Sequence, residues 1–281
     1  MDWSKAKTIL IVAFIITNIL LVFMLIREKP GVDPTINDEF IEDVLELLKD
    51  KDISVATQIP KDKPYLNTMI VGYEKVDIKG LNENFFNNEG AINDNREGLG
   101  EIVKDYESIV IVNRKLITYE NKEKKENYPD INKDKAIQIA EEFLKDKGFP
   151  TSDIKLTYIK EEEGVFYLEY SKLYEDVLVE RAFTNLQIDE RGVKRLERLW
   201  LNIKDLGETE IHISTAPKSI LGLLSKEEVY GKTITDISLC YYFDPQRHDY
   251  LEEPGDAKQG KAIPAWRIQF SDGYKVFIDE Y

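Results

Sequence analysis

From Thr8 to Ile26 the chain runs for 19 residues without a charge, TILIVAFIITNILLVFMLI, and 14 of these are Ile, Leu, Val or Phe. As a helix this stretch would be about 28 Å long, close to the ~30 Å hydrocarbon thickness of a bilayer. Its apolar side chains favour insertion by roughly 4–8 kcal/mol. A cleaved signal peptide has a shorter apolar core and a small-residue cleavage site. Here the run ends in Met24-Leu25-Ile26-Arg27-Glu28-Lys29, which offers no such site. A lipoprotein signal needs a cysteine near its exit, and the single cysteine is Cys240. A helix buried in a soluble protein keeps a polar face, whereas this one is apolar all round. The residues therefore read as an uncleaved anchor that meets the lipid bilayer through residues 8–26.

Orientation is less constrained. Lys5 and Lys7 on one side balance Arg27 and Lys29 on the other, so the positive-inside rule barely discriminates. The short tail before the run is not a domain, and the long polar remainder can be translocated largely regardless of charge. The expected arrangement is a cytoplasmic tail at 1–7, a transmembrane helix at 8–26, a linker at 27–34, and an extracytoplasmic region divided into 35–127 and 128–281. The protein is thus expected in the cell membrane as a single-pass chain with its N-terminus in the cytoplasm.

Charge then limits the partners. Lys and Arg number 38 against 53 Asp and Glu, a net −15 over 281 residues. The part beyond Lys29 is more acidic still, because Lys5, Lys7, Arg27 and Lys29 lie before it with only Asp2 and Glu28. Such a chain lacks the electrostatic footprint of a nucleic-acid binder. It is also a poor match for anionic wall polymers or lipid headgroups. One cysteine rules out an intramolecular disulfide framework.

Beyond the anchor, Thr35 with Asp38 resembles a capping box, followed by an amphipathic helix carrying Ile36, Phe40, Val44 and Leu48 at i+4 spacing. Strands are expected at 53–57, 68–76 and 108–119, with 80–100 as an Asn-, Gly- and Glu-rich loop. The charged stretch 120–130 reads as a domain boundary. A second helix at 133–147 is capped by Asn132 and stopped by Gly148. Strands follow at 154–160, 165–173, 177–188 and 193–203. A short helix from Thr215 to Leu224 comes next, with another turn begun by Ser225 and Glu228. The last strands lie at 234–243, 263–270 and 274–278. Helices followed by antiparallel hairpins argue an α+β fold, in which antiparallel sheets carry helices packed on one face.

Catalytic signals are weak throughout. Asp130, Asn132, Asp134 and Glu141 match positions 1, 3, 5 and 12 of a calcium loop. Lys135 occupies the position that needs glycine, however, and the helical stripe already runs at Ala136 and Ala140. An Asn-capped helix explains the same residues. Cys240, His248 and His212 lack the tight spacing of zinc ligands. The loop 244–249 could be imagined as catalytic, but no nucleophile motif accompanies it, and no nucleophile-elbow, zincin or P-loop pattern occurs. No residue is nominated for a catalytic, metal or cofactor role. A tethered hydrolase therefore has no residues to name. An extracytoplasmic ligand- or calcium-binding module remains the alternative reading.

The anchor itself carries more information. Asn18 lies in the middle of the apolar run, and an amide in hydrocarbon seeks a partner worth about 0.6–2 kcal/mol. At helical spacing its face holds Ile11, Phe14, Ile15, Val22 and Leu25. This face reads as a docking surface for another transmembrane helix. A tolerated polar residue that bonds back to its own helix is the other possibility.

The opening Met1-Asp2-Trp3-Ser4-Lys5-Ala6-Lys7-Thr8-Ile9, running straight into a single anchor, resembles the start of the YycI (WalI) family. Ile263-Pro264-Ala265-Trp266-Arg267-Ile268, with Ser271-Asp272-Gly273 after it, is similar to that family's C-terminal strand pair. The resemblance implies a non-enzymatic regulator that sits with a YycH-like protein and the essential sensor histidine kinase WalK (YycG). That system controls cell-wall metabolism in low-GC Gram-positive bacteria. The resemblance also implies association through transmembrane helices and exterior domains, and exterior units of helix plus sheet of the PepSY and YycH type.

Overall fold

The computed structural model describes residues 3–27, 33–62, 65–96, 98–246 and 259–279. The uncharged run lies within one continuous helix, α1 (Trp3–Arg27). The next helix, α2 (Asp38–Lys49), starts three residues later than the capping-box pattern suggests. Asp33 caps a separate 3-10 turn at Pro34–Ile36 and takes up Thr35. The chain then extends at Asn37, whose side chain accepts from the Phe40 amide at 2.7 Å. Asp38 and Glu39 in the first turn and Lys49 in the last suit the helix dipole.

β1 (Ser54–Val55) and β2 (Tyr65–Tyr73) follow. The region expected as loop then folds into α3 (Ile78–Phe86), β3 (Ala91–Arg96) and the start of β4 (Leu99–Lys104). Asp77 caps α3, and Leu81, Phe85 and Phe86 are its buried apolar stripe. Asn82 ties the following turn down by accepting from Gly90 N at 3.0 Å and donating to Gly90 O at 3.2 Å. A side chain at position 90 would meet Asn82 Oδ1 at 2.4 Å, so only glycine fits there.

The expected strand 108–119 is a hairpin, β5 (Glu107–Val112) and β6 (Leu116–Asn121). Asn113 and Arg114, at φ 51° and 53°, are the central residues of a turn closed by Lys115 N donating to Val112 O at 3.0 Å, within a three-residue connection. α4 (Lys133–Asp146) agrees with the sequence reading, and Asn132 Oδ1 accepts from Lys135 N at 3.0 Å. β7 (Ile154–Glu162), β8 (Val165–Tyr174), β9 (Val177–Asp189) and β10 (Gly192–Leu199) form a meander.

The strand expected at 193–203 breaks at Trp200, and β11 (Leu201–His212) departs to pair with β2. α5 (Ala216–Ile220) and two 3-10 turns lead into β12 (Thr233–Phe243), β13 (Gln259–Phe270) and β14 (Lys275–Ile278).

The result is a mixed α+β structure with one large sheet and few helices. The main path runs β11-β2-β13-β12-β9-β10-β6-β5-β4-β3. Pairing is antiparallel except where β12 lies parallel to β1 and to β9. The 127/128 position falls in the connection between β6 and α4, yet strand pairing runs across it. β1 and β2 pair with β12, β11 and β13, and β6 pairs with β10.

The apolar cores divide differently from the sequence. One gathers α3 and α4 over β4–β10, with Phe85, Phe86, Ala140, Leu168 and Leu196 inside. A second gathers α2, α5 and β12–β14 around Leu48, Ile220, Trp266 and Phe270. A third, with Met69, Val179, Trp200 and Phe243, lies among β2, β9, β12 and β13.

Candidate functional site

The suspected docking face on α1 is brought together by helical spacing. Phe14, Ile15, Asn18 and Val22 line one shallow groove with Ile19. Ile11 is 49% exposed four residues before Ile15, and the Leu25 side chain lies outside the described residues. Asn18 Nδ2 donates to Phe14 O at 2.8 Å, and Thr17 Oγ1 donates to Ala13 O at 2.9 Å. A carboxamide has two N–H donors and a carbonyl acceptor, so one internal bond leaves most of its capacity for a partner. The described side chains of α1 are Lys7, Thr8 and 10–22, and the last of these make about 20 Å of apolar helix. Among the described residues no helix is long and apolar enough to cross a membrane.

The calcium pattern is dispersed by the fold. Asn132 spends its side-chain oxygen on the helix cap, and Glu141 stands on α4 itself. His212 is exposed, tilted against Tyr65 and 3.4 Å from Glu210. Cys240 is fully buried in β12, where burial pushes its thiol up. Asp244 accepts from Gln246 N at 2.9 Å, while Arg247, His248 and Asp249 lie outside the described residues. Among the described residues no cluster of His, Cys, Asp and Glu could hold a metal ion.

Sequence reasoning missed two buried ionic joints. In the first, Arg267 on β13 is 1% exposed. Its Nε lies 2.7 Å from Glu180 Oε1 on β9, its Nη1 2.8 Å from Asp236 Oδ2 on β12, and its Nη2 donates to Gln269. Gln269 passes the link on to Thr157 O of β7 at 3.0 Å. Lys275 on β14 contacts Glu169 of β8 and lies 3.9 Å from Glu180. A charge within the apolar run 263–270 was the available signal.

In the second joint Arg198, also 1% exposed, donates to Thr184 Oγ1 at 2.8 Å and lies 3.6 Å from Glu74. Its guanidinium stacks 4.0 Å from the Trp200 ring centre and 4.7 Å from that of Phe149. Both arginines thus bind strands of different cores to one another.

Burial sets the ionisation here. It raises Glu180 although Arg267 pulls the other way, and it lowers Arg198 to about 10. It lowers Lys275 to about 8. An unfolded lysine titrates at about 10.4. Between these two values the unfolded chain binds the proton that the folded chain has released, so stability due to this group rises with pH. Below about pH 8 both states are charged and the burial penalty stands in full. Lys275→Met is therefore expected to remove an increase in unfolding free energy between about pH 8 and 10. Urea melts across that range measure it, and equal slopes for the two proteins would show that Lys275 does not titrate there.

No family model matches the chain, and no curated protein matches it. Solved structures do. An uncharacterized protein from Eubacterium rectale ATCC 33656 aligns at a TM-score of 0.52 and 12% identity, over 86% of this chain and 95% of that one. This likeness shows a shared fold. YycH from Bacillus subtilis aligns at a TM-score of 0.48 and 14% identity, over 75% of this chain and 52% of YycH, about half its length. The Bacillus megaterium YpeB C-terminal domain aligns at 0.43 and 11%, over 73% and 93%.

Proposed function

We propose that the protein is a membrane-anchored, non-enzymatic regulator that binds a sensor histidine kinase of the WalK type together with a YycH-like partner. The observation that carries the reading is the α1 face, where one carboxamide, Asn18, sits in a groove of otherwise apolar side chains. The uncharged sequence 8–26 extends that face to bilayer length, and the opening residues resemble YycI. The N-terminus lies in the cytoplasm and the sheet outside the cell.

Regulation would be a population shift. Helix and exterior contacts that differ between two kinase states favour one of them. A coupling of about 1–3 kcal/mol changes output roughly 5–150-fold.

In a Gram-positive host, Asn18→Leu is expected to reduce co-purification with the kinase by severalfold, while Asn18→Gln restores it. Loss of one interhelical hydrogen bond of about 0.6–2 kcal/mol sets that size. Undiminished recovery of the complex with Asn18→Leu would remove the amide from the interface. Protease added to intact cells should degrade the sheet-bearing region; a protected region would sink the topology.

A further inference from the structure

The β8–β10 meander has two faces. Leu168, Leu186 and Leu196 turn into the core beneath α4. On the opposite face a cleft of about 230 Å³ opens, walled by Tyr158, Tyr167, Glu169, Asn185 and Glu197. Strand register builds it. Glu169 is directly opposite Asn185, and Asn185 directly opposite Glu197, so carboxylate, carboxamide and carboxylate form one row across three strands. The neighbouring row is Tyr167, Gln187 and Arg195.

The polar balance in this cleft is uneven. Arg195 is engaged by Glu120 at 3.3 Å, and Glu169 is held by Lys275. Glu197 has no ion-pair partner among the described residues. Asn185 Oδ1 is shut off from solvent and receives no hydrogen bond. A buried acceptor without a donor is destabilising unless a ligand supplies one.

We propose that this cleft binds the ammonium group of a lysine side chain presented by a protein partner. An ammonium brings three donors and no acceptor, suiting the unfilled Asn185 Oδ1 and the unpaired Glu197 carboxylate beside a Glu169 already held by Lys275. Tyr158 and Tyr167 line the cleft, and aromatic side chains suit both a cation and its apolar stem. The volume falls below the roughly 300–1,000 Å³ of small-molecule sites, which favours one side chain over a cofactor. The net charge of −15 draws cationic partners to the surface. This site is independent of the anchor and of the kinase reading, so either can fail alone.

The test titrates Nα-acetyl-lysine N-methylamide into the full chain in detergent micelles, read by saturation-transfer NMR, with the norleucine analogue as the uncharged control. Saturable binding of the lysine probe alone is expected. Glu197→Gln, an isosteric change on the open face, should weaken it about tenfold, the worth of one charge-assisted hydrogen bond. Asn185→Leu should weaken it comparably, with near-UV circular dichroism confirming the fold, and Glu208→Gln on β11 should leave it unchanged. Absence of lysine binding, equal binding of the norleucine probe, or indifference to Glu197→Gln would overturn the assignment.

Discussion

Arg267→Ala is expected to lower the unfolding free energy by about 3 kcal/mol, the lower end of the roughly 3–5 kcal/mol cost of breaking a buried ion pair. The substitution strands Glu180, whose side chain is 5% exposed, and removes the donor to Gln269, the residue that reaches on to β7. Lys275, 3.9 Å from Glu180, offsets part of the lost charge, which is why the lower end applies. Denaturant melts measure the change. The double variant Arg267→Met with Glu180→Leu should recover most of the loss, because removing both charges also removes their desolvation. A single variant within about 1 kcal/mol of the parent would show that the pair contributes little net stability.

Trp200→Ala is expected to cost about 3–5 kcal/mol, the range for deleting a large buried aromatic. Trp200 is 2% exposed and sits where the chain passes from β10 to β11. Arg198 at 4.0 Å and Lys172 at 5.1 Å both lie over its ring, and its carbonyl accepts from Glu74 N at 2.9 Å. The truncation thus leaves a cavity and also strips a π partner from two largely buried cations. Hydrogen exchange should report faster opening in β2 and in β10 together, since both lean on this residue. Faster exchange confined to one of them would show that the two sides open independently.

The sequence reading succeeded where local chemistry is loud. Asn132 and Gly148 bracket α4, and the Thr233–Phe243 strand follows from its apolar run. It failed where signals are quiet or non-local. α3 is nine residues long and sits in Asn- and Gly-rich sequence, so its stripe of Leu81, Phe85 and Phe86 did not outweigh composition. The turn at Asn113-Arg114 has both central residues at positive φ yet lacks the glycine that usually marks such a turn. Thr35 resembles a helix start because Asp33 and Asn37, two caps four residues apart, lie on either side of it. The change of partner at Trp200 has no local signature, because both flanks are good strands. The Glu169, Asn185 and Glu197 row was illegible for the same reason: it exists only through register between strands.

The sheet order has a consequence for biosynthesis. β1 and β2 emerge from the ribosome early, yet they are held by β11, β12 and β13, which are made last. α2, β1 and β2 must therefore wait unzipped for most of translation, while the meander from β7 to β10 can close as it appears. A nascent chain released before residue 201 would keep that meander but display the orphaned edge of β2, making premature termination products of this protein prone to aggregate.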